Sequence, residues 1–342
     1  MEGRKNTKLC CGQSQHSCNS DFIIIYIVRA HAIVSLASDS LKKKDDSLKF
    51  SCQGVLFTLS LQQKIKKNMD KILAGFNPIT LDEMSGIKLM NRTDTKFVTS
   101  VGQLKALLEI AKRDYRVQEV DGVRNIPYRT IYFDTLDLDM YLTHEHGHAN
   151  RQKVRIRSYV NSGLNFLEVK TKDNHKRTKK KRVTVENFDP LSPPEDMQFH
   201  RQNAEYAAYD DFLRSTLHYD PETLREALSN RFKRITLVNN AKTERLTIDT
   251  GLWFHNYMTG RELGLDNIAI IELKRDGLQP SPILKLLNQL RIKPHGFSKY
   301  CMGQALTNDR LTQNRFKARL HNVWKINTGG LCENVRHQRS AV

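Results

Sequence analysis

The sequence predicts an α+β protein, an antiparallel β-barrel with a charged lumen and a coat of helices. Three observations lead there. Five short segments share one scheme, an apolar parity set against a densely charged parity. Segments of helical spacing fall between and around them. The chain also carries 55 Lys+Arg against 37 Asp+Glu, a formal net charge of +18, which calls for an anionic partner.

Taken in order, residues 70–88 read as helix and connector, punctuated by Pro78 and Gly86. Segment 89–98 is strand-like, with Arg92, Asp94 and Lys96 on one parity and Phe97 on the other. Val101, Leu104, Leu107, Leu108 and Ile110 have helical spacing over 101–113. Tyr128–Asp134 is rich in β-formers, and 137–146 reads as a short helix. In 153–159, Val154 and Ile156 oppose Lys153, Arg155 and Arg157. In 166–172, Leu167 and Val169 oppose Glu168, Lys170 and Lys172. In 179–185, Val183 and Val185 oppose Lys180, Arg182 and Thr184. Segment 245–249 sets Leu246 and Ile248 against Arg245, Thr247 and Asp249; segment 269–274 sets Ala269, Ile271 and Leu273 against Ile270, Glu272 and Lys274. Helices are predicted at 201–215, 221–229 and 280–291.

A half-buried antiparallel sheet with solvated charges explains one polar face per strand. Rows of Arg and Lys across adjacent strands would repel, however. Their repetition in five strands favours a barrel that turns its basic faces inward around an anion.

The longest apolar run, Phe22 to Val28, is seven residues and far short of the ~20 a membrane helix needs. Four of the six cysteines (10, 11, 18, 52) fall in the first 68 residues, and only Cys301 and Cys332 lie beyond. That distribution fits a reduced, cytoplasmic core better than a disulfide scaffold. Cys10, Cys11, Cys18 and His16 match no familiar zinc spacing. Residues 1–68 lack an amphipathic repeat and fit a secretory signal poorly. They are expected to be a spurious or disordered leader, with globular character opening at Met69; 69–88 is then a helical lead-in, 89–310 the barrel domain and 311–342 a basic C-terminal tail. Residues 1–68 carry 11 basic and 5 acidic side chains, so the rest keeps an excess of +12.

Six stretches in order carry a resemblance: Asn91-Arg92-Thr93-Asp94-Thr95-Lys96-Phe97, Tyr132-Phe133-Asp134-Thr135, Lys153-Val154-Arg155-Ile156-Arg157, Leu167-Glu168-Val169-Lys170, Ile271-Glu272-Leu273-Lys274 and Phe297-Ser298-Lys299-Tyr300. Over roughly 89–306 the chain resembles the catalytic domain of the vacuolar transporter chaperone (VTC) complex, a polyphosphate polymerase of the triphosphate tunnel metalloenzyme fold, and most closely its short bacterial members. The resemblance implies transfer of the terminal phosphoryl group of ATP to a growing polyphosphate chain. It implies catalytic cations at Lys96, Arg155, Arg157, Lys170 and Arg245. It implies substrate contacts at Arg92, Lys180, Arg182, Lys242, Ser298 and Lys299, and a metal-binding Glu272 with Mn²⁺ or Mg²⁺. Partners would be ATP and polyphosphate, with no nucleic acid, and a separate membrane protein could hold this cytoplasmic chain at a membrane.

The chemistry suits these residue types. A phosphate oxygen is already ionised near neutral pH, so the demand is for cationic positioning rather than a general base. Triphosphatases of this fold carry Glu-x-Glu-x-Lys on the first strand, whereas here the matching stretch is Arg92-Thr93-Asp94-Thr95-Lys96. A triphosphatase and a non-catalytic polyphosphate- or nucleic-acid-binding module remain the alternatives. Tyr159 and Phe166 are the aromatics expected on the inward parity, few for base stacking. Lys176-Arg177 reads as a solvated turn, His144, His146 and His148 as loop residues rather than a metal stripe, Asp134 as a structural turn-closer with Thr135, and Cys301 as a buried helix residue.

Overall fold

The computed structural model describes residues 68–85, 92–175, 177–186, 205–277 and 279–329. They fall in one compact unit, Lys67–Val342. The expected leader, the Cys10–Cys18 cluster and Lys176 lie outside the described residues.

After a helical stretch at 68–74 come β1 (Asn77–Ile79), α1 (Leu81–Ser85), β2 (Arg92–Ser100), α2 (Val101–Ala111), β3 (Tyr115–Gln118) and β4 (Ile126–Asp134). Then follow α3 (Asp139–Glu145), β5 (Arg151–Tyr159), β6 (Leu164–Lys172), β7 (Thr178–Val185) and α4 (Glu205–Arg214). The chain continues through β8 (Arg225–Asn239), β9 (Glu244–Asn256), β10 (Glu262–Asp276), α5 (Pro282–Gln289), α6 (Lys299–Thr307) and α7 (Lys317–Asn327). One sheet joins the strands in the order β2-β10-β9-β8-β4-β5-β6-β7, with β3 on the far half of β8 and a short parallel β1 beside it. The main path is antiparallel throughout.

The apolar parity of β5 and β6 does face outward under helices. Val154, Ile156, Leu167 and Val169 pack with Met140 of α3 and with Tyr209 and Leu213 of α4. The concave parity is apolar toward one end: Leu228, Phe254, Ile268 and Ile270, on the same face as Tyr132 and Asp249, pack with Tyr300, Met302 and Ala305 of α6 and with Leu320 and Val323 of α7. Val323 is fully buried, so residues 311–329 add a core helix where a basic tail was expected. Helix α2 buries Leu104, Leu107 and Leu108 on its i, i+3, i+4 stripe and is capped by Ser100, whose side chain accepts from Gln103 N.

The predicted helix at 221–229 is corrected. Only Pro221–Thr223 forms a single 3₁₀ turn, capped by Asp220, and β8 begins at Arg225. Leu-Arg-Glu-Ala-Leu favours helix locally, but pairing on both edges, with β4 and β9, outweighs that weak preference.

The expected closed barrel is an open, strongly curled sheet. Among the described residues the terminal strands β2 and β7 do not pair. The free edge of β2 is already taken: Phe97 bridges Pro294, and His295 N donates to Lys96 O at 2.7 Å. Curling is evident in the charges. Lys170 of β6 and Lys96 of β2 repel each other, although six strand spacings, about 29 Å, would separate them in a flat sheet.

Candidate functional site

Cross-strand register assembles the concave face as rows. One row runs Lys96, Glu272, Thr247, Thr236 across β2, β10, β9 and β8. The next runs Asp94, Lys274, Arg245. A third sets Asp249 beside Arg234. On the other limb, Lys153, Lys170 and Lys180 stand directly opposite one another on β5, β6 and β7, and Arg155, Glu168 and Arg182 form the row alongside.

Three carboxylates organise these cations. Glu168, 1% exposed, lies 2.7 Å from Arg155, 3.0 Å from Lys180 and 3.8 Å from Arg157. Burial alone would raise its pKa, but Arg155, Arg157 and Lys180 outweigh that and hold it down at about 2. Asp249 receives a bidentate contact from Arg234, Nε at 2.6 Å and a terminal nitrogen at 2.8 Å, and a further bond from Lys299. These two cations lower the Asp249 carboxyl despite burial. Glu272 lies 3.4 Å from Lys96 and 3.2 Å from Lys274; burial raises it, yet Lys274 and Lys96 bring it to about 2.

Lys170 is different. Among the described residues no carboxylate pairs with it at contact distance. Its side chain remains open to solvent, but enclosure by the protein, then repulsion from Lys96, Arg155 and Lys153, lower its pKa to about 8 against the pull of Glu272. Lys299, deeper in the site, is lowered to about 8 by burial, with Asp249 opposing and Arg234 adding to the fall. Among the described residues, Arg157 Nε and the hydroxyls of Thr130 and Thr247 are buried on this face without a hydrogen-bond partner. The centre of the face thus holds cations, orphaned donors and too little counter-charge, as an anion site requires.

Of the residues singled out from sequence, Lys96, Arg155, Arg157, Lys170, Lys180, Lys299 and Glu272 converge here. Arg182 stacks on Phe166 at 4.3 Å from the ring centre, and Arg245 is opposite Lys274. Arg92 opens β2 opposite Asp276. Ser298 caps α6, its hydroxyl accepting from Cys301 N at 3.3 Å and from Lys153 Nζ at 2.6 Å. Lys242 does not join the rows: it is exposed on the β8–β9 turn with φ +57°.

Arg234 was missed because it follows the stretch read as helix, although Ile235 and Leu237 against Arg234 and Thr236 repeat the alternation of the other strands. The aromatic count also changes. Tyr128, Tyr132 and Phe232 share the concave parity, but they are nearly buried and form its floor, with Phe232 beneath Lys299 at 4.3 Å and Arg234 at 5.3 Å. They offer cation–π support, not a free stacking platform.

Asp134 is structural. Its carboxylate accepts from Thr135 N, Met140 N and Tyr141 N at 2.9–3.0 Å and from the Tyr300 hydroxyl, tying the start of α3 to α6. Cys301 is buried in α6. His144 lies on α3 rather than on a loop, its Nδ1 2.9 Å from Cys301 Sγ. Among the described residues no group of three or more His, Cys, Asp or Glu could hold a metal ion. Glu272 alone is a poor cage, but one carboxylate fits a divalent ion whose remaining ligands are substrate phosphates and water. No described helix is long and apolar enough to cross a membrane.

No curated relative matches the chain in sequence. Solved structures similar to it include a candidate adenylate cyclase of Bacillus halodurans, at 14% identity and a TM-score of 0.39, covering 61% of this chain and 96% of that one. Another is a candidate adenylyl cyclase of Hippeastrum described by its dominant triphosphatase activity, at 14% identity and a TM-score of 0.36, covering 64% of this chain and 97% of that one. At such distances these likenesses carry no functional argument. The sequence model of the VTC domain, in contrast, matches residues 91–308, which contain β2 through α6 and every row of the concave face. This chain therefore belongs to the VTC domain family.

Proposed function

We propose that the chain is a polyphosphate polymerase: it moves the terminal phosphoryl group of ATP to the end of an inorganic polyphosphate chain held against the concave face. The observation that carries this reading is Lys170, which no described carboxylate meets at contact distance, set between Lys153 and Lys180 and facing Lys96. Three lysines in register on neighbouring strands repel unless an extended polyanion lies across them.

In this reading a terminal oxygen of the acceptor chain bonds to the γ-phosphorus as the bond from that phosphorus to the β–γ bridging oxygen breaks. ADP leaves with the electron pair of that bond. Both polyanions must approach, and Arg155, Arg157, Lys170 and Lys96 reduce their repulsion and hold them in line. Arg155 and Arg157 are suited to planar, bidentate phosphate contacts, and Glu168 keeps both oriented before substrate arrives. A Mn²⁺ or Mg²⁺ ion held by Glu272 and the nucleotide would supply further charge neutralisation. The single acidic residue on β2 parity, Asp94 opposite Lys274, is a weaker provision for a two-metal hydrolase.

The test is incubation with ATP and Mn²⁺ followed by gel separation of the products. Long chains support the reading. Free phosphate alone replaces it with a triphosphatase, and tight polyphosphate binding without turnover replaces it with a binding module.

A further inference from the structure

A second group of cations lies at the end of the lysine row, outside the set just described. On β5 the inward parity continues past Lys153 to Arg151, which is opposite Lys172 of β6. Arg151 donates to His148 O at 2.7 Å, which holds it beside the turn that follows α3. The guanidinium of Arg315, just before α7, lies flush against Gly147 of that turn and leaves no room for a Cβ there. Its backbone N–H is fixed to Glu145 Oε1 at 3.0 Å. One turn on, the Arg319 guanidinium lies beside Gly296, where a Cβ would be 3.7 Å away.

These groups converge on His144, which is held by Cys301 at the start of α6. Burial, then Lys153, Arg151, Arg319 and Arg315, push the His144 imidazole down to about 2, so it stays neutral at physiological pH. Lys153, whose ammonium reaches Ser298 at 2.6 Å and lies over the Tyr300 ring at 5.8 Å, is the link between the concave rows and this outer group. Glu145, already engaged by the Arg315 backbone, is the nearest carboxylate found in these contacts. Among the described residues one carboxylate, Glu145, stands against these four cations, and they continue a row already short of counter-charge.

We propose that Arg151, Arg315 and Arg319 form an outer track for condensed phosphate, a site that receives the part of a long polyphosphate chain extending beyond the concave face. Arg315 and Arg319 lie outside the 91–308 family match, so the track is an addition by the chain's own C-terminal helix. The proposal rests on the reading of the concave face as a phosphate site, and it adds the requirement that ligand length matters.

The test is equilibrium binding by the full chain of tripolyphosphate and of long-chain polyphosphate, with melting temperature measured beside it. Arg315→Gln with Arg319→Gln removes two side chains at or near the surface and leaves the Arg315 backbone bond in place. Long-chain affinity is expected to fall about tenfold or more, with tripolyphosphate affinity within about twofold of the parent. Lys317→Gln with Lys325→Gln removes the same charge from exposed positions of α7 and should leave both affinities nearly unchanged. Equal losses for the two ligands, no loss for either, or an equal long-chain loss in the Lys317/Lys325 variant would overturn the track. Failure of the parent chain to bind tripolyphosphate would overturn the concave-face reading and the track together.

Discussion

Glu168 and Glu272 hold the site's cations apart by accepting from them, so each substitution there has two consequences. Glu272→Gln should remove Mn²⁺ stimulation while nucleotide binding partly survives, because Lys96 and Lys274 remain. Retention of full Mn²⁺-stimulated turnover would reject the metal role. Arg155→Ala, Arg157→Ala and Lys170→Ala should each lower turnover by about a hundredfold or more, since a cation on the transferring phosphoryl group acts most in the transition state. Circular dichroism should show all three folded.

The same residues give the pH response a sign. Glu168 and Glu272 have folded pKa values near 2, below the ordinary 4.5, so their contribution to stability is present above about pH 4.5 and is lost as the pH falls toward 2. Lys170 and Lys299 are lowered to about 8 from 10.5. Between those values the unfolded chain binds more protons, so stability of the ligand-free protein should rise with pH across that window. Tripolyphosphate affinity should move oppositely, falling above about pH 8 as both lysines lose charge. A calorimetric titration from pH 7 to 10 reads both trends, and an affinity that stays flat would remove Lys170 and Lys299 from the site.

Helix α6 is the element on which the site depends, since it delivers Lys299 to Asp249 and Ser298 to Lys153. Two features fix it. Gly303 lies against β8 and β9 so closely that a Cβ would fall 2.5 Å from Leu228 and 2.6 Å from Phe254. Gly303→Ala should therefore cost about 1–3 kcal/mol through overpacking, despite the better helix propensity of alanine. The Asp134 carboxylate meets both α6 and the first turn of α3. Asp134→Ala strands the Tyr300 hydroxyl and two α3 amides and should cost about 2–4 kcal/mol. Denaturant melts of the two variants check these values. A neutral Gly303→Ala would mean that α6 stands further from the sheet than described.

For the whole molecule, the curled sheet stores like charge. A polyanion that binds the folded face and not the unfolded chain should stabilise by mass action, about 2.7 kcal/mol at a hundredfold excess over Kd. Tripolyphosphate should raise the melting temperature more than pyrophosphate, and pyrophosphate more than phosphate, because each added group meets another cation row. Added salt should shrink the shifts only partly, as enclosed charges are poorly screened. Equal shifts for phosphate and tripolyphosphate would mean a merely solvated face.

The sequence by itself determined the two faces. Period-2 alternation dictates that Val154 and Ile156 lie opposite Arg155 and Arg157 in any strand they form, and helices then cover the apolar side. Hence most of the cations were legible before the fold. Alternation assigns a side chain to a face and says nothing about its neighbour on the next strand. Which cations share Glu168, which share Asp249, and that Lys170 meets no carboxylate at contact distance among the described residues follow from register and curl. The strand β8 was illegible for a related reason: Leu-Arg-Glu-Ala-Leu carries local helix preference, and only long-range pairing with β4 and β9 overrides it. Among the described residues β2 does not meet β7, and residues 294–295, far along the chain, occupy the β2 edge at Lys96 and Phe97. Competition for one strand edge is settled by tertiary contacts between distant segments, and no local pattern encodes it.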